Sequence, residues 1–232
     1  MLRKYSVIPI HIAESEQKRY EIYRFRYRIY IEEMAKPYRH ADHEKKILTD
    51  PLDESGTLLY AEEDGQITGT LRINWGTDQT ALDFFDKPFD LELFGDFPPG
   101  DFSFTSRLMV ASKLRRSALA ANLCNTAYRI GRQRGVQFNF AHCNPRITGL
   151  FQHLGFRTYK GDIEDEEVGR QTPLILLLQD IEHLKAVDSL FLVDALHRDN
   201  SSMTRRWFES RFSNGDSIPN ITKTTQERRK SE

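Results

Sequence analysis

The dipeptide Asp64-Gly65 lies between two apolar runs, Leu58-Leu59-Tyr60-Ala61 and Ile67 to Ile73. An Asp-Gly pair suits the tight left-handed turn that joins neighbouring antiparallel strands. The middle of the chain is thereby committed to a hairpin. Downstream the rhythm changes. Leu119, Leu123, Ala127 and Ile130 share one face of a helix over Ser117 to Arg134, and Gly135 sits at its C-terminal cap. Val136 to Ala141 reads as a strand. Asn144-Pro145 opens a further helix carrying Ile147, Leu150, Phe151 and Leu154, which Gly155 stops. A hairpin followed by strand–helix–strand units predicts an α+β domain with a mixed sheet.

The flanks extend this order. Residues 1–12 alternate weakly, as a short strand does. Tyr20, Tyr23, Tyr27, Tyr30, Ile31 and Met34 recur at helical spacing until Pro37. Residues 38–56 read as irregular. Residues 76–101 hold Phe84, Phe85, Phe89, Phe94 and Phe97 and are expected to fold back as short helices over an apolar surface. Phe102 to Val110, Phe156 to Tyr159 and Pro173 to Leu178 read as strands, and Ile181 to Leu196 as one helix. Residues 1–196 form the expected domain. Residues 197–232 form a polar, mildly basic extension, flexible or partly helical, in which 203–212 spell a short helix able to dock elsewhere.

Composition narrows the class. The 232 residues carry 33 Lys+Arg against 34 Asp+Glu, so no broad positive field exists to hold nucleic acid. No apolar run approaches the ~20 residues of a membrane span. Two cysteines, Cys124 and Cys143, make no disulfide framework. The start lacks a secretory leader, so a reduced, cytoplasmic protein is expected.

Arg72 and Arg107 fall in stretches that read as strands. A guanidinium near a core needs a partner, because a buried unpaired charge is very costly. Its planar fork matches a carboxylate. Asp50 and Asp53 are the natural partners, with Arg26 joining from the N-terminal helix. Two readings stand: an ion-pair lattice beside a reaction centre, or a purely structural or solvated set of charges. Arg24 and Arg28 read as solvated. His142 and Cys143 are adjacent on a strand and point to opposite faces, so a Cys–His nucleophile is disfavoured. His40, Asp42, His43 and Glu44 read as a solvated loop rather than a metal site.

Four segments in order resemble motifs of the acyl-homoserine-lactone synthases and N-acyl amino acid synthases, within the GNAT N-acyltransferase superfamily. They are Arg26-Tyr27-Arg28-Ile29-Tyr30, Asp50-Pro51-Leu52-Asp53, Gly69-Thr70-Leu71-Arg72 and Ser106-Arg107-Leu108. The resemblance spans roughly residues 5–180. It implies a GNAT-like, mainly antiparallel sheet flanked by helices and splayed between the strands near 103–110 and 136–142. It implies transfer of a medium or long acyl chain from an acyl carrier protein or coenzyme A thioester to the amine of an amino acid or related molecule. The attack is direct, with no metal and no permanently bound cofactor.

Residue by residue, the resemblance places Arg26, Asp50, Asp53, Arg72, Thr105, Ser106 and Arg107 at the reaction site. The backbone of Leu108, Met109 and Val110 would meet the thioester. Lys113, Arg115, Arg116, Ser117, Ala118, Leu119, Ala120 and Asn144 would hold the pantetheine arm and its phosphate. Phe84, Phe85, Phe104 and Phe151 would line the acyl chain, although the Phe84–Phe97 loop reads equally as a satellite hydrophobic cluster. Three departures shape these expectations. The stretch from Arg115 to Ala120 lacks the glycines that cradle a pyrophosphate, which favours a carrier-protein donor. Phe104 replaces the Glu of the lactone synthases, so another amine acceptor is expected. Phe151 stands where acetyltransferases often have Tyr, leaving protonation of the thiolate to water or another group. A non-catalytic donor-binding module and an acetyl-coenzyme A-dependent N-acetyltransferase are the alternative readings.

Overall fold

The computed structural model describes residues 8–197 and 201–212. Residues 1–7, 198–200 and 213–232, which include most of the expected extension, lie outside the described residues. Among the described residues ten strands run in chain order: β1 (Ile10–Ile12), β2 (Ala41–Asp42), β3 (Ile47–Leu48), β4 (Thr57–Glu63), β5 (Gln66–Trp75), β6 (Phe102–Val110), β7 (Phe138–Cys143), β8 (Arg157–Thr158), β9 (Ile163–Asp165) and β10 (Gly169–Leu177). The helices are α1 (Glu16–Tyr27), α2 (Leu52–Ser55), α3 (Gln79–Phe89), α4 (Leu119–Gln133), α5 (Thr148–Leu154), α6 (Ile181–Ala186), α7 (Leu192–Leu196) and α8 (Met203–Phe212).

The main sheet has eight strands in the order β1-β4-β5-β6-β7-β10-β8, with β9 paired to β10. β6 and β7 are parallel, joined through α4, and the other pairs are antiparallel. The hairpin of β4 and β5 turns at Asp64 and Gly65, both in left-handed backbone (φ 52° and 72°). This is the turn chemistry that the dipeptide dictates. The fold is the expected α+β, GNAT-like sheet flanked by helices.

Alternation along the strands sorts the core into two faces. Leu71 and Ile73 of β5 and Ala141 and Cys143 of β7 pack under α4 with Leu119, Leu123 and Phe151. Gly69 allows the close approach of α4, since a Cβ there would lie 3.1 Å from Leu119 and Leu123. On the other face, Phe102, Phe104, Phe138 and Phe140 pack with Phe85, Phe89 and Phe94. Beside them, α1 and the turn that follows it lay Ile22, Phe25 and Ile29 on Leu58, Tyr60 and Met109.

Some elements differ from the sequence reading. The first helix is regular only to Tyr27 and continues as a wider π turn over Arg28–Glu33, where Met34 N–H reaches Ile29 O. The expected helix from Ile181 to Leu196 is two, because the chain turns at Asp188 (φ 51°) and Ser189 caps the restart by accepting from Phe191 N–H. Residues 38–56 contain the β2–β3 pair and α2. Residues 203–212 form α8 and do dock: Trp207 and Phe212 pack against Phe94, and Trp207 Nε1 donates to Asp96 Oδ2 at 2.7 Å.

Candidate active site

The β6–β7 pairing begins at Phe102↔Phe138 and ends at Thr105↔Ala141. From Ser106 onward β6 keeps β5 as neighbour and loses β7, so a wedge opens between strands that remain parallel below it. One residue explains the geometry. Thr70 faces Met109 and Arg72 faces Ser106, so β6 spends three steps where β5 spends two. The extra residue is a β-bulge, and Arg107 occupies it with φ 55°. For a non-glycine residue this backbone costs on the order of 1–3 kcal/mol, and the surroundings must hold it in place.

The bulge inverts the parity of β6. Before it, Ser103 and Thr105 face α4. After it, Leu108 and Val110 pack against the α4 core and Met109 against α1. At the bulge, Ser106 and Arg107 therefore both point to the side of α1 and α2. The same extra residue affects the backbone. Ala111 N–H donates to Thr68 O of β5 at 2.8 Å. By alternation, the N–H groups of Val110 and Leu108 face the opposite edge, where β7 has ended.

On the α1 and α2 side, five charged residues form one chain of contacts. Arg26 Nη1 donates to Asp53 Oδ1 at 2.7 Å. Arg72 Nη1 bridges Asp53 Oδ1 at 2.9 Å and Asp50 Oδ1 at 2.5 Å. Arg107 grips Asp50 Oδ2 through Nη2 at 2.6 Å and Nε at 3.2 Å. Arg72 Nε also donates to Ser106 Oγ at 3.1 Å. The Asp50-Pro51-Leu52-Asp53 turn presents both carboxylates because it folds on itself. Leu52 N–H donates to Asp50 Oδ1 and Asp50 N–H donates to Asp53 Oδ2, both at 3.0 Å.

Burial alone pushes the Asp50 and Asp53 carboxyls up, but the guanidiniums override it. Arg72 and Arg107 hold Asp50 well below the usual range, and Arg26 and Arg72 lower Asp53. Burial lowers the Arg26 pKa, and Asp53 pulls in the opposite sense. Arg26 Nε and Nη2 are buried without a hydrogen-bond partner among the described residues. Arg24 and Arg28 are exposed.

Several supports carried no readable signal in the sequence. Arg107 lies over the Tyr38 ring at 4.7 Å and the Tyr30 ring at 5.6 Å. Arg19 donates to the Asp53 carbonyl, and Asn74 Nδ2 donates to Leu52 O at 2.8 Å, fixing the turn from outside. A Cβ on Gly56 would lie 2.9 Å from Arg72 Cδ, so only glycine leaves room for the Arg72 stem. Tyr30 reads from sequence only as a helix aromatic, and Tyr38 falls in the stretch read as irregular.

Other expected site residues lie apart from this lattice. Thr105 faces α4, where Asn139 Nδ2 donates to Thr105 Oγ1 at 2.9 Å and to Ser103 Oγ at 2.8 Å. These residues line a cavity of about 10 Å³ with Cys124, Tyr128 and Phe191. That is room for roughly one water. Phe85 and Phe104 stack at 4.5 Å within a closely packed cluster that α8 completes, while Phe84 is exposed. Phe151 belongs to the opposite face, against Phe156 at 5.4 Å. The four expected acyl-lining aromatics are thus not brought together, and the Phe84–Phe97 region packs as a hydrophobic cluster.

The loop before α4 brings basic groups to the mouth of the wedge. Lys113 and Arg115 are 65% and 51% exposed and pair with Glu63 and Glu33. Arg116 is exposed, with φ 72°, and has no ion-pair partner among the described residues. α4 starts after Ala118 with no side-chain cap and no acid in its first turn. Ser117 Oγ accepts from Leu119 N–H at 3.2 Å, leaving the start of the helix electropositive. Asn144 is exposed at the end of β7, and its side chain accepts from Arg146 N–H at 3.0 Å.

His142 and Cys143 diverge as strand neighbours must. His142 meets Phe89, whereas Cys143 lies in the α4-side core. Burial lowers the His142 pKa and raises that of Cys143, the reverse of an activated pair. His43 Nδ1 is 3.0 Å from the Tyr27 hydroxyl.

Comparison with known proteins adds identity to this geometry. Residues 21–180 match the family model described as N-acyl amino acid synthase FeeM. The matched span holds all five charges of the lattice. No curated protein sequence matches the chain. Among solved structures, the coenzyme A-dependent acyl-homoserine lactone synthase BjaI with MTA aligns at a TM-score of 0.62 and 16% identity, covering 79% of this chain and 91% of its own. FeeM, an N-acyl amino acid synthase from uncultured soil microbes, aligns at 0.61 and 14% identity, covering 83% and 99%. The acyl-homoserine lactone synthase LasI aligns at 0.58 and 18% identity, covering 75% and 91%. These likenesses establish a shared fold.

Proposed function

The chain belongs to the N-acyl amino acid synthase FeeM family and is an acyltransferase, and from that premise we propose that it joins a medium or long acyl chain to the amine of an amino acid. The donor in this reading is an acyl carrier protein thioester, with acyl-coenzyme A as the alternative. The reading rests on one coincidence. At a single point of β6, the bulge aims Arg107, pairing with β7 ends, and the Leu108 and Val110 N–H groups turn to the open edge.

The pantetheine arm enters the wedge in place of the missing strand contacts. Its thioester oxygen meets an N–H on the open edge of β6, which stabilises the negative charge that develops there. The neutral amine attacks the carbonyl carbon, the carbon–sulfur bond breaks, and the amide and free thiol are the products. The amine proton leaves to water or the departing thiolate. The lattice of Arg26, Asp53, Arg72, Asp50 and Arg107 keeps the bulge in place. The basic loop of Lys113, Arg115 and Arg116 with the start of α4 supports binding of a phosphate on the donor.

The test is thiol release. The protein is incubated with acyl carrier protein and coenzyme A thioesters of graded chain length and a pool of amino acids, and products are read by mass spectrometry. Thiol release with formation of N-acyl amino acid is expected, fastest for the longer chains. Tight donor binding with no thiol release above background would leave a non-catalytic donor-binding module instead. A preference for acetyl-coenzyme A would move the protein to the acetyltransferases.

A further inference from the structure

His142 stands at the apex of the wedge. The last paired residues of β6 and β7 are Thr105 and Ala141. The next residue on β6 is Ser106, at the foot of the bulge, and the next on β7 is His142. Alternation turns the His142 side chain to the face of Phe138 and Phe140, where its ring lies 5.8 Å from that of Phe89. That is also the face of α2, since Leu52 belongs to the same cluster. The imidazole is uncommitted. Nδ1 is buried with no hydrogen-bond partner, and Nε2, which keeps access, has none either among the described residues. The residue as a whole is half-buried. An unpaired polar atom at such depth calls for an explanation. Two charged groups act on the ring, Arg107 from β6 and Asp165 from β9. α3 presents Phe89 and β10 pairs Pro173 with it, neither of them charged. The lattice that holds Arg107 has three guanidiniums against two carboxylates, a surplus of one positive charge. Burial lowers the His142 pKa, Asp165 raises it less, and Arg107 lowers it further. At neutral pH the ring is thus uncharged, the form that accepts a proton.

We propose that His142 takes up the amine proton through one water and returns it to the departing thiolate. This rests on the N-acyltransfer reading above. Leu108, whose N–H faces the open edge, is two residues beyond Ser106, roughly 7 Å along the strand. The ring therefore acts through a water rather than on the amine directly. As the amine nitrogen bonds to the carbonyl carbon, its proton passes to the water, and a proton of that water passes to Nε2. The carbon–sulfur bond then breaks with its electron pair on sulfur. The imidazolium gives its proton back through the water to the thiolate, and the ring is neutral for the next turnover. Asp165 favours the transient imidazolium, whereas Arg107 favours the proton's return.

The experiment compares the parent with His142→Gln, which keeps a polar tip and does not titrate. For one amino acid acceptor at saturating donor, kcat/KM is measured by thiol release from about pH 5 to about pH 8. Protonation of the amine itself affects both proteins alike and cancels in their ratio. Above about pH 7 the parent is expected to be about a hundredfold faster, the low end of general acid–base catalysis. As pH falls through the folded His142 value, which lies below the ordinary 6.5, that advantage is expected to shrink toward one. Damaged packing would instead slow the variant by one factor at every pH. A ratio independent of pH, or one within about threefold of unity throughout, would overturn the proposal. A second readout needs no variant. The His142 ring in the parent, followed by NMR, is expected to titrate below 6.5. An imidazolium at about pH 7 would overturn the proposal and leave N-acyltransfer intact. Absence of thiol release from the parent with every amine would overturn the acyltransfer reading, and this inference with it.

Discussion

At the scale of single residues, the lattice is a case where removing one partner costs more than the pair contributes. Asp53 is 3% exposed and compensates Arg26 alone and Arg72 in part. Asp53→Asn leaves a fully buried guanidinium uncompensated. A destabilisation of about 3–5 kcal/mol is expected in urea unfolding. Acid should reproduce the effect. Both carboxyls are held below their unfolded value of about 3.9, so their stabilisation is fully present above that pH and is lost as pH falls toward the folded values. The urea midpoint should drop steeply below about pH 4, and Asp50→Asn should flatten that slope. Gly56 supplies an uncharged test of the same cluster. In Gly56→Ala the new Cβ would press on Leu52 O at 2.7 Å and Arg72 Cδ at 2.9 Å. Overpacking of about 1–3 kcal/mol is expected by thermal unfolding, with acceptor KM raised because Arg72 must shift.

At the scale of elements, periodicity carried most of the fold and failed where the backbone departs from it. The β4–β5 hairpin is legible because Asp64 and Gly65 both accept positive φ. The pairing of Arg72 and Arg107 with Asp50 and Asp53 is legible because charges on strands demand partners. The bulge at Arg107 is not, since arginine carries no preference for left-handed backbone and the two-residue period of β6 reads straight through it. Thr105 illustrates the consequence. Proximity in sequence groups it with Ser106 and Arg107, yet it faces α4 by ordinary alternation, two residues before the bulge at Arg107. The break at Asp188 has the same origin, as an aspartate in left-handed backbone leaves no mark on an otherwise helical pattern. α8 shows the opposite case, a short amphipathic pattern that found a surface. Phe208 is 6% exposed under α8, in the aromatic cluster with Phe94 and Phe138. Phe208→Ala should cost roughly 3 kcal/mol. Amides of residues 203–212 should then exchange hydrogen faster than those of α4, whose packing the substitution leaves alone.

At the scale of the whole molecule, a net charge of -1 conceals segregation. The interior surplus is positive, and so is the loop between β6 and α4, where a donor would dock. These two sites answer to salt differently. The lattice is buried and weakly screened, whereas Lys113, Arg115 and Arg116 are exposed to a Debye length of about 8 Å at physiological ionic strength. Of the three, Lys113 faces Glu63 and Arg115 pairs with Glu33, so much of their charge is already answered. Arg116 has no such partner among the described residues. If an acidic carrier protein delivers the acyl chain, Arg116→Glu should raise the KM for the acyl carrier protein thioester several-fold and leave acceptor KM unchanged. Raising the salt should narrow the difference between variant and parent, because steering by exposed charge is what salt removes. With acyl-coenzyme A, whose smaller surface makes fewer contacts outside the wedge, the same substitution should act less. An equal effect on both donors would place Arg116 on the phosphate they share rather than on the carrier protein's surface.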